Sequence, residues 1–306
     1  MRFLLCRTDW RIGDLVVSLP LMESLRERLP ESEIFWILNP EIAPILDNIP
    51  GVAGVLHCRP GYDLSRLISY IRPDAFLNLS HRDRGNTTAA KLAGVPIRVA
   101  IPRGFRQALD ATHRIQAKRS HSGRHESQLI LDYLKPFGIF ASASLPPPPT
   151  LVLTPEEEER GHADLRMVPA PRLGVVKRGT GSGACPSFHW WENMLGALRA
   201  AGWNPVVMSP LEEGDLAPTG VRGLLGRLNA CDAVLGVSTG PMHLAAALGV
   251  PTLCLMAKSV RHGPVRWAPL GRRAAFLQYE GEEDDRGSGM DRFEPDTVLA
   301  HLEKLR

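Results

Sequence analysis

Residues 234–251, VLGVSTGPMHLAAALGVP, decide the fold of this chain. The apolar run Ala233 to Val237 predicts a buried strand. Met242 to Leu248 predicts a helix that follows after a tight turn, and Thr252 to Met256 predicts a second buried strand. A strand, a helix and another strand in this order predict a parallel β-sheet.

The turn between this strand and its helix, Ser238-Thr239-Gly240-Pro241, has two interpretations. Its hydroxyl groups and the N–H groups at the start of the helix favour a bound anion such as a phosphate. Gly240 would let a ligand approach the backbone closely, and His243 follows within reach of the same space. In the plainer interpretation, Thr239 only caps the helix of an ordinary α/β domain. The turn itself leaves both interpretations open.

The same alternation of strands and helices runs through the rest of the chain. It begins with a strand at residues 3–7 and a helix at about 15–29, and four prolines at 146–149 form a stiff linker. A length of 306 residues suits two domains of ordinary size. We therefore expect a first domain at 1–149, a second domain at 150–290 and a terminal helix at 291–306. That helix would be able to pack back onto the first domain.

The charge of the chain is mild and uneven. The net charge is +3, but residues 1–150 carry 19 basic against 14 acidic residues, whereas the remainder is slightly acidic. This asymmetry suggests an anionic partner for the first half and is too weak to indicate nucleic acid.

A basic segment, residues 98–125, contributes much of that asymmetry. Only Asp110 opposes its seven basic residues, Arg98, Arg103, Arg106, Arg114, Lys118, Arg119 and Arg124. The segment is either a solvated surface or a cradle for phosphates or acidic sugars.

A second glycine-rich turn follows the apolar strand at 173–176. It reads KRGTGSG over residues 177–183, and glycines, hydroxyls and positive charge are what a phosphate loop needs. A flexible surface loop is the alternative. The turn matches neither GxxxxGK[ST] nor GxGxxG, which speaks against a P-loop nucleotidase and a dinucleotide-dependent dehydrogenase.

The cysteines and the hydropathy of the sequence indicate the compartment in which the protein resides. The five cysteines are widely spaced and form no CxxC pair, so we expect free thiols and no structural zinc. The sequence shows no signal peptide, and the long apolar region at 233–257 divides into strand, helix and strand. We therefore expect a cytoplasmic protein.

Four stretches together resemble a known family. They are RTDWRIGDLVVSLPLMESLRERLP at 7–30, AAKLAGVPIRVA at 89–100, RHESQLILDYLKPFGI at 124–139 and LLGRLNACDAVLGVSTGPMHLAAALGVPTLCLM at 224–256. In this order they resemble glycosyltransferase family 9, the lipopolysaccharide heptosyltransferases, whose patterns include G-D-x-x-x-x-x-P and D-T-G-x-x-H-x-A-A.

The resemblance implies a fold and a reaction. The fold would be α/β of the GT-B type, with two Rossmann-like domains whose parallel sheets face each other across a cleft. The reaction would be an inverting, metal-independent transfer of heptose from ADP-heptose to a lipopolysaccharide core acceptor. The implied partners are a nucleotide sugar and an anionic glycolipid at the inner membrane surface, with no cofactor, no nucleic acid and a monomeric chain.

The resemblance also implies roles for individual residues. Asp14 falls on the catalytic base, although on sequence alone it could equally cap the first helix. The implied donor-binding residues are Lys177, Thr180, Ser182, Glu213 (or its neighbour Glu212), Ser238, Thr239, Gly240 and His243. The candidate acceptor-binding residues are Arg11, Arg103, Arg106, Lys118 and Arg119.

Two departures from the family pattern concern the donor. Ser238 stands where the family has an aspartate, and Gly183 falls near the position of a family lysine. Lys177 or Arg178 would have to supply that missing charge. The alternatives are a relative that uses another nucleotide sugar or a protein acceptor, and a catalytically weak protein that only binds nucleotide sugars.

Overall fold

A computed structural model describes residues 1–59, 62–80, 85–102, 104–116, 122–178, 184–208, 220–279 and 289–305. The chain forms two compact units. The first comprises Met1–Arg11 and Val17–Pro147, and the second comprises Ile12–Val16 and Pro148–Arg306. The main division therefore falls inside the four-proline linker.

The first unit is built on a six-stranded parallel sheet in the order β3-β2-β1-β4-β5-β6. Its strands are β1 Arg2–Arg7, β2 Glu33–Leu38, β3 Gly54–His57, β4 Ala75–Asn78, β5 Ile97–Ala100 and β6 His113–Arg114. Four residues of β1, Phe3 to Cys6, are fully buried because β1 lies in the interior of the sheet.

Helices connect these strands. They are α2 Leu19–Arg28, α3 Leu64–Ile71, α4 Asn86–Leu92, α5 Phe105–Asp110 and α6 Glu126–Leu131, with 3₁₀ turns at Ala43–Leu46 and Asp132–Phe137. The start of α3 shows how the sequence sets a boundary, since the Asp63 carboxylate accepts hydrogen bonds from the backbone N–H groups of Ser65 and Arg66.

The second unit is built on a five-stranded parallel sheet in the order β11-β10-β9-β7-β8. Its strands are β7 Arg172–Val176, β8 Asn204–Val207, β9 Ala233–Val237, β10 Thr252–Met256 and β11 Ala274–Gln278. Its helices are α1 Ile12–Val16, α7 Pro155–Asp164, α8 Phe188–Ala200, α9 Gly220–Asn229, α10 Gly240–Ala247, α11 Pro264–Trp267 and α12 Pro295–Glu303, with a 3₁₀ turn at Met290–Arg292. Two parallel sheets with connecting helices confirm the predicted α/β class.

The terminal helix α12 packs against α8 of the second unit. Val298 and Leu302 are fully buried in the same apolar cluster as Trp191 of α8 and Leu235 of β9. The sequence left open a return of this helix to the first domain, but burial of its apolar face places it in the second unit.

The first predicted helix, at about 15–29, is two helices. α1 ends at Val16 and α2 begins at Leu19, with Pro20 in its first turn, where the missing N–H of proline costs nothing. Helix α1, which lies within the stretch 1–149 expected as the first domain, packs against α10 and belongs to the second unit.

Candidate functional site

The candidate site begins at the point where the strand order of the second sheet changes direction. From β7 the chain proceeds to β8 on one side, and then to β9, β10 and β11 on the other. Ligands of open parallel sheets bind outside the carboxyl ends of the strands at such a switch point. Here these ends belong to β7, which is followed by Lys177, and to β9, which is followed by Ser238 and Thr239.

Close packing brings the two strand ends and α10 together. Val176 of β7 is the register partner of Gly236 on β9. A Cβ on Gly236 would lie 2.7 Å from Cβ of Val176 and 2.8 Å from Sδ of Met242 on α10. Only glycine fits between the neighbouring strand and the helix that follows, so residue 236 fixes how closely α10 sits on the sheet.

Thr239 precedes α10 with an extended backbone, at φ −147° and ψ 170°. Its side chain makes no capping hydrogen bond to the helix, and Oγ1 is buried without a hydrogen-bond partner among the described residues. The interpretation of Thr239 as an ordinary cap is therefore wrong. A buried hydroxyl that lacks a partner is costly, and it lies beside the N–H groups of a helix N-terminus. The arrangement can accept a ligand oxygen.

The short helix α1 lies against the start of α10. A Cβ on Gly240 would lie 2.7 Å from Cβ of Ile12 and 3.3 Å from the backbone nitrogen of Gly13. The buried ring of His243 packs against Gly13 from the other side of this contact. Asp14, half-buried in the first turn of α1, is thereby carried by the same compact unit as Thr239 and His243.

The two candidate cations that follow β7 differ in their surroundings. Lys177 has only 6% of its surface exposed, whereas Arg178 is exposed. A buried lysine directly after β7 can meet negative charge with little screening by water. Ser238 is half-buried at the end of β9.

The remaining predicted site residues divide into two groups. Arg11, which directly precedes α1, and Arg106 on α5 are exposed residues of the first unit. Outside the described residues lie Thr180, Ser182, Glu212, Glu213, Arg103, Lys118 and Arg119.

Sequence reasoning missed a polar cluster at the switch point of the first sheet, between β1 and β4. The Asn86 amide donates to Oγ1 of Thr8 at 3.1 Å and to Oγ of Ser80 at 3.0 Å. The buried Asn78 amide donates to Oγ1 of Thr87 at 3.0 Å. The signal for this cluster was present in LNLS at 77–80, where polar residues follow a buried strand.

A pocket of about 500 Å³ lies at the opposite edge of the second sheet. Residues at the amino ends of β7, β9, β10 and β11 line it, and they include Asp232, Pro251 and Arg273. Because ligands of parallel sheets bind at the carboxyl ends, this pocket is not the candidate site.

Known proteins share this architecture. Residues 214–291 match the sequence profile of glycosyltransferase family 9 (heptosyltransferase). The fold resembles that of E. coli ADP-heptose lipopolysaccharide heptosyltransferase II, with a TM-score of 0.79, 19% identity and coverage of 100% of this chain and 98% of that one. This chain resembles glycosyltransferase family 9 over residues 214–291 and has the heptosyltransferase fold.

Two further similarities extend over nearly the whole chain. A glycosyltransferase family 9 structure from Veillonella parvula has a TM-score of 0.79 at 16% identity, with coverage of 99% of this chain and 96% of that one. A putative glycosyltransferase of Haemophilus influenzae is 23% identical over 320 aligned positions, which are 92% of this chain and 90% of the relative. In the described part of the chain, no helix combines the length and apolar character needed to cross a membrane.

Proposed function

We propose that this protein is an inverting glycosyltransferase that moves heptose, or a related sugar, from an ADP-sugar to a lipopolysaccharide core acceptor. The observation that carries the proposal is the buried hydroxyl of Thr239 at the start of α10, which has no hydrogen-bond partner among the described residues, with α1 and Asp14 in the same compact unit. The similarity to an E. coli ADP-heptose heptosyltransferase supports the choice of donor.

The start of α10 serves as the leaving-group side of this reaction. The helix N–H groups and Oγ1 of Thr239 would bind the donor diphosphate, and Gly240 would let it approach the backbone. Lys177 would supply the positive charge that the family places elsewhere. These groups stabilise the negative charge that grows on ADP as it departs, so the proposal needs no metal ion.

Asp14 serves as the general base. The acceptor hydroxyl oxygen attacks the anomeric carbon from the face opposite the diphosphate, and the bond from that carbon to the diphosphate oxygen breaks. The hydroxyl proton passes to the Asp14 carboxylate, and the attack from the opposite face inverts the anomeric configuration. Arg11 and Arg106, with the other predicted basic residues, would bind phosphates or acidic sugars of the acceptor.

The acceptor determines where the protein works. A Kdo-containing lipid A is anchored in the membrane, so we place the enzyme in the cytoplasm, peripherally at the inner face of the cytoplasmic membrane, as a monomer. No cofactor is part of this proposal.

A second candidate function is nucleotide-sugar binding without effective catalysis. It is favoured by Ser238, which offers a short neutral hydroxyl where the family has a carboxylate. A relative that uses another nucleotide sugar or a protein acceptor would also fit this change in the donor site.

One experiment separates these functions. Purified protein is incubated with ADP-heptose and a Kdo-containing lipid A, and product formation is followed by mass spectrometry beside the Asp14→Asn variant. Loss of the base should lower the transfer rate by about 100- to 10,000-fold while ADP binding persists. If neither protein transfers sugar but both gain thermal stability with ADP, the binding function is favoured. A thermal-shift screen with GDP- and UDP-sugars identifies any other donor.

A further inference from the structure

Helix α5 of the first unit turns its apolar side outward. Phe105 is 82% exposed and Leu109, one turn later, is 57% exposed. Leu92, at the end of the neighbouring helix α4, is 76% exposed. The buried residue of α5 is Asp110. An ordinary surface helix has the reverse arrangement, with apolar residues inward and charges outward.

Polar contacts hold α5 in this orientation. The Asp110 carboxylate accepts hydrogen bonds from Oγ1 of Thr88 at 2.6 Å and from Nζ of Lys91 at 2.8 Å, both on α4. Nε of Arg98 donates to the backbone oxygen of Asp110 at 2.6 Å. The contacts with Lys91 and Thr88 lower the pKa of Asp110, so the carboxylate stays ionised at neutral pH. The exposed apolar side is therefore a fixed feature of the fold.

The segments that carry these apolar groups are also basic. Within the described residues 85–102 and 104–116, four basic residues stand against Asp110 alone: Lys91, Arg98, Arg106 and Arg114. Arg106 and Arg114 are exposed. Exposed apolar side chains flanked by arginine and lysine suit a partner surface with an anionic outer layer and an apolar layer beneath it. A bilayer with acidic headgroups has this chemistry.

We propose that this face, which we call the α5 surface and define by Leu92, Phe105, Arg106 and Leu109, docks on an anionic lipid bilayer. Phe105 and Leu109 enter the boundary between headgroups and acyl chains, and Arg106, which the proposed function assigns to the membrane-anchored acceptor, meets phosphates at the same lipid surface. The proposal deepens the proposed function, on which it rests for the lipid-anchored acceptor. Three apolar side chains fall well short of the roughly 800 Å² per partner that a stable protein complex buries.

The test is co-sedimentation of the full-length protein with vesicles. An equimolar mixture of phosphatidylglycerol and phosphatidylcholine is compared with phosphatidylcholine alone. The wild type should bind the mixed vesicles more strongly, and added salt should weaken that binding. The double variant Phe105→Ser, Leu109→Ser should bind the mixed vesicles about tenfold more weakly.

A matched control is Tyr70→Ser, which removes another side chain of the first unit that is 82% exposed but lies on α3. It should bind vesicles like the wild type. The proposal is overturned if the wild type ignores mixed vesicles, if the double variant binds them equally well, or if Tyr70→Ser loses as much binding. It is also overturned if the wild type forms a concentration-dependent dimer and loss of that dimer is the only effect of the double variant.

Sugar transfer to a delipidated, water-soluble acceptor keeps the two proposals apart. The double variant should retain this activity, since neither Phe105 nor Leu109 belongs to the proposed site. If the wild type transfers sugar but does not bind vesicles, the proposal for the α5 surface is wrong and the proposed enzymatic function stands. Vesicle binding without transfer to any acceptor would support the surface and count against the proposed function.

Discussion

Gly13 and His243 lie so close together that a Cβ on Gly13 would be 3.0 Å from Cδ2 of the histidine ring. The same Cβ would lie 3.7 Å from Cα of Gly240. Two helices from distant parts of the sequence thus meet through glycines at the start of α10. This contact makes α1, and Asp14 with it, part of the second unit.

The first prediction concerns Gly240→Ala. The new methyl group would overlap Cβ of Ile12 and crowd the backbone nitrogen of Gly13, so α1 must move away from α10. We expect the free energy of unfolding to fall by about 1–3 kcal/mol. Sugar transfer should fall further than ADP binding, because the displaced element carries the proposed base. Urea denaturation and transfer kinetics measure the two effects.

Gly196→Ala is the matched control for this substitution. Gly196 lies within α8, and a Cβ there would meet nothing within 4 Å. Its replacement should raise the free energy of unfolding by about 0.5–1 kcal/mol through helix propensity and leave transfer unchanged. Equal stability of Gly240→Ala and the wild type would contradict the close contact between α1 and α10.

The second prediction concerns Thr239→Val, which removes the buried hydroxyl and keeps the shape of the side chain. Because Oγ1 is buried and makes no capping bond, its loss should raise the free energy of unfolding of the ligand-free protein by about 1 kcal/mol. ADP binding should weaken roughly tenfold, since a hydrogen bond to a charged oxygen is lost. Thermal denaturation and calorimetric titration with ADP measure these opposite effects.

Thr154→Val provides the contrast. The Thr154 hydroxyl accepts a hydrogen bond from the backbone N–H of Glu157 and caps α7. Its loss should cost about 1 kcal/mol of stability and leave ADP affinity unchanged. Should Thr239→Val behave in the same way, Thr239 would be a structural residue and the anion site would lose its main support.

The sequence predicted the individual strands and the helix of the site better than the way in which distant elements come together there. The apolar runs and the turn residues between them at 233–256 were enough to place β9, α10 and β10, because these elements depend on short-range sequence patterns. Whether Thr239 caps α10 could not be decided from residue type, since the same hydroxyl suits a cap and a ligand. The hydrogen-bond geometry decides against the cap.

The placement of α1 could not be predicted from its own residues. Leu15 and the apolar residues after it suggested one continuous helix of the first domain. The contact of Gly13 with Gly240, which places α1 in the second unit, involves residues more than two hundred positions apart. The polar cluster of the first sheet was missed for a similar reason. Asn78 and Asn86 can be recognised as part of a cluster only once β4 is known to lie beside β1.

The third prediction compares the two cations that follow β7. Lys177→Met should weaken ADP binding by about tenfold to a hundredfold, because the buried ammonium group meets the diphosphate in a poorly solvated place. Arg178→Met should change the affinity by less than about threefold, because the side chain of Arg178 is exposed and screened. Calorimetric titration with ADP distinguishes them, and a larger loss in Arg178→Met would assign the missing family charge to Arg178.

The fourth prediction concerns Glu157 and Arg222, which join α7 to α9. Arg222 donates from Nε to Oε1 of Glu157 at 2.7 Å, and its Nη2 donates to Oε2. This contact lowers the pKa of Glu157 below its ordinary value of 4.5, against the opposing effect of burial. A carboxyl group with a lowered pKa in the folded state stabilises the fold above its unfolded pKa, and that contribution is lost as the pH falls through the folded pKa.

Glu157→Gln isolates this charge, since glutamine can still accept the capping bond from the N–H of Thr154. We expect the variant to be less stable than the wild type by about 1–2 kcal/mol at pH 7. The difference should shrink as the pH falls below 4.5 and vanish once Glu157 is protonated in the folded protein. The exposed Glu159 on the same helix is the control, and Glu159→Gln should stay within about 0.5 kcal/mol of the wild type. Urea denaturation at a series of pH values measures both variants, and a pH-independent loss in Glu157→Gln would show that packing, rather than charge, joins α7 to α9.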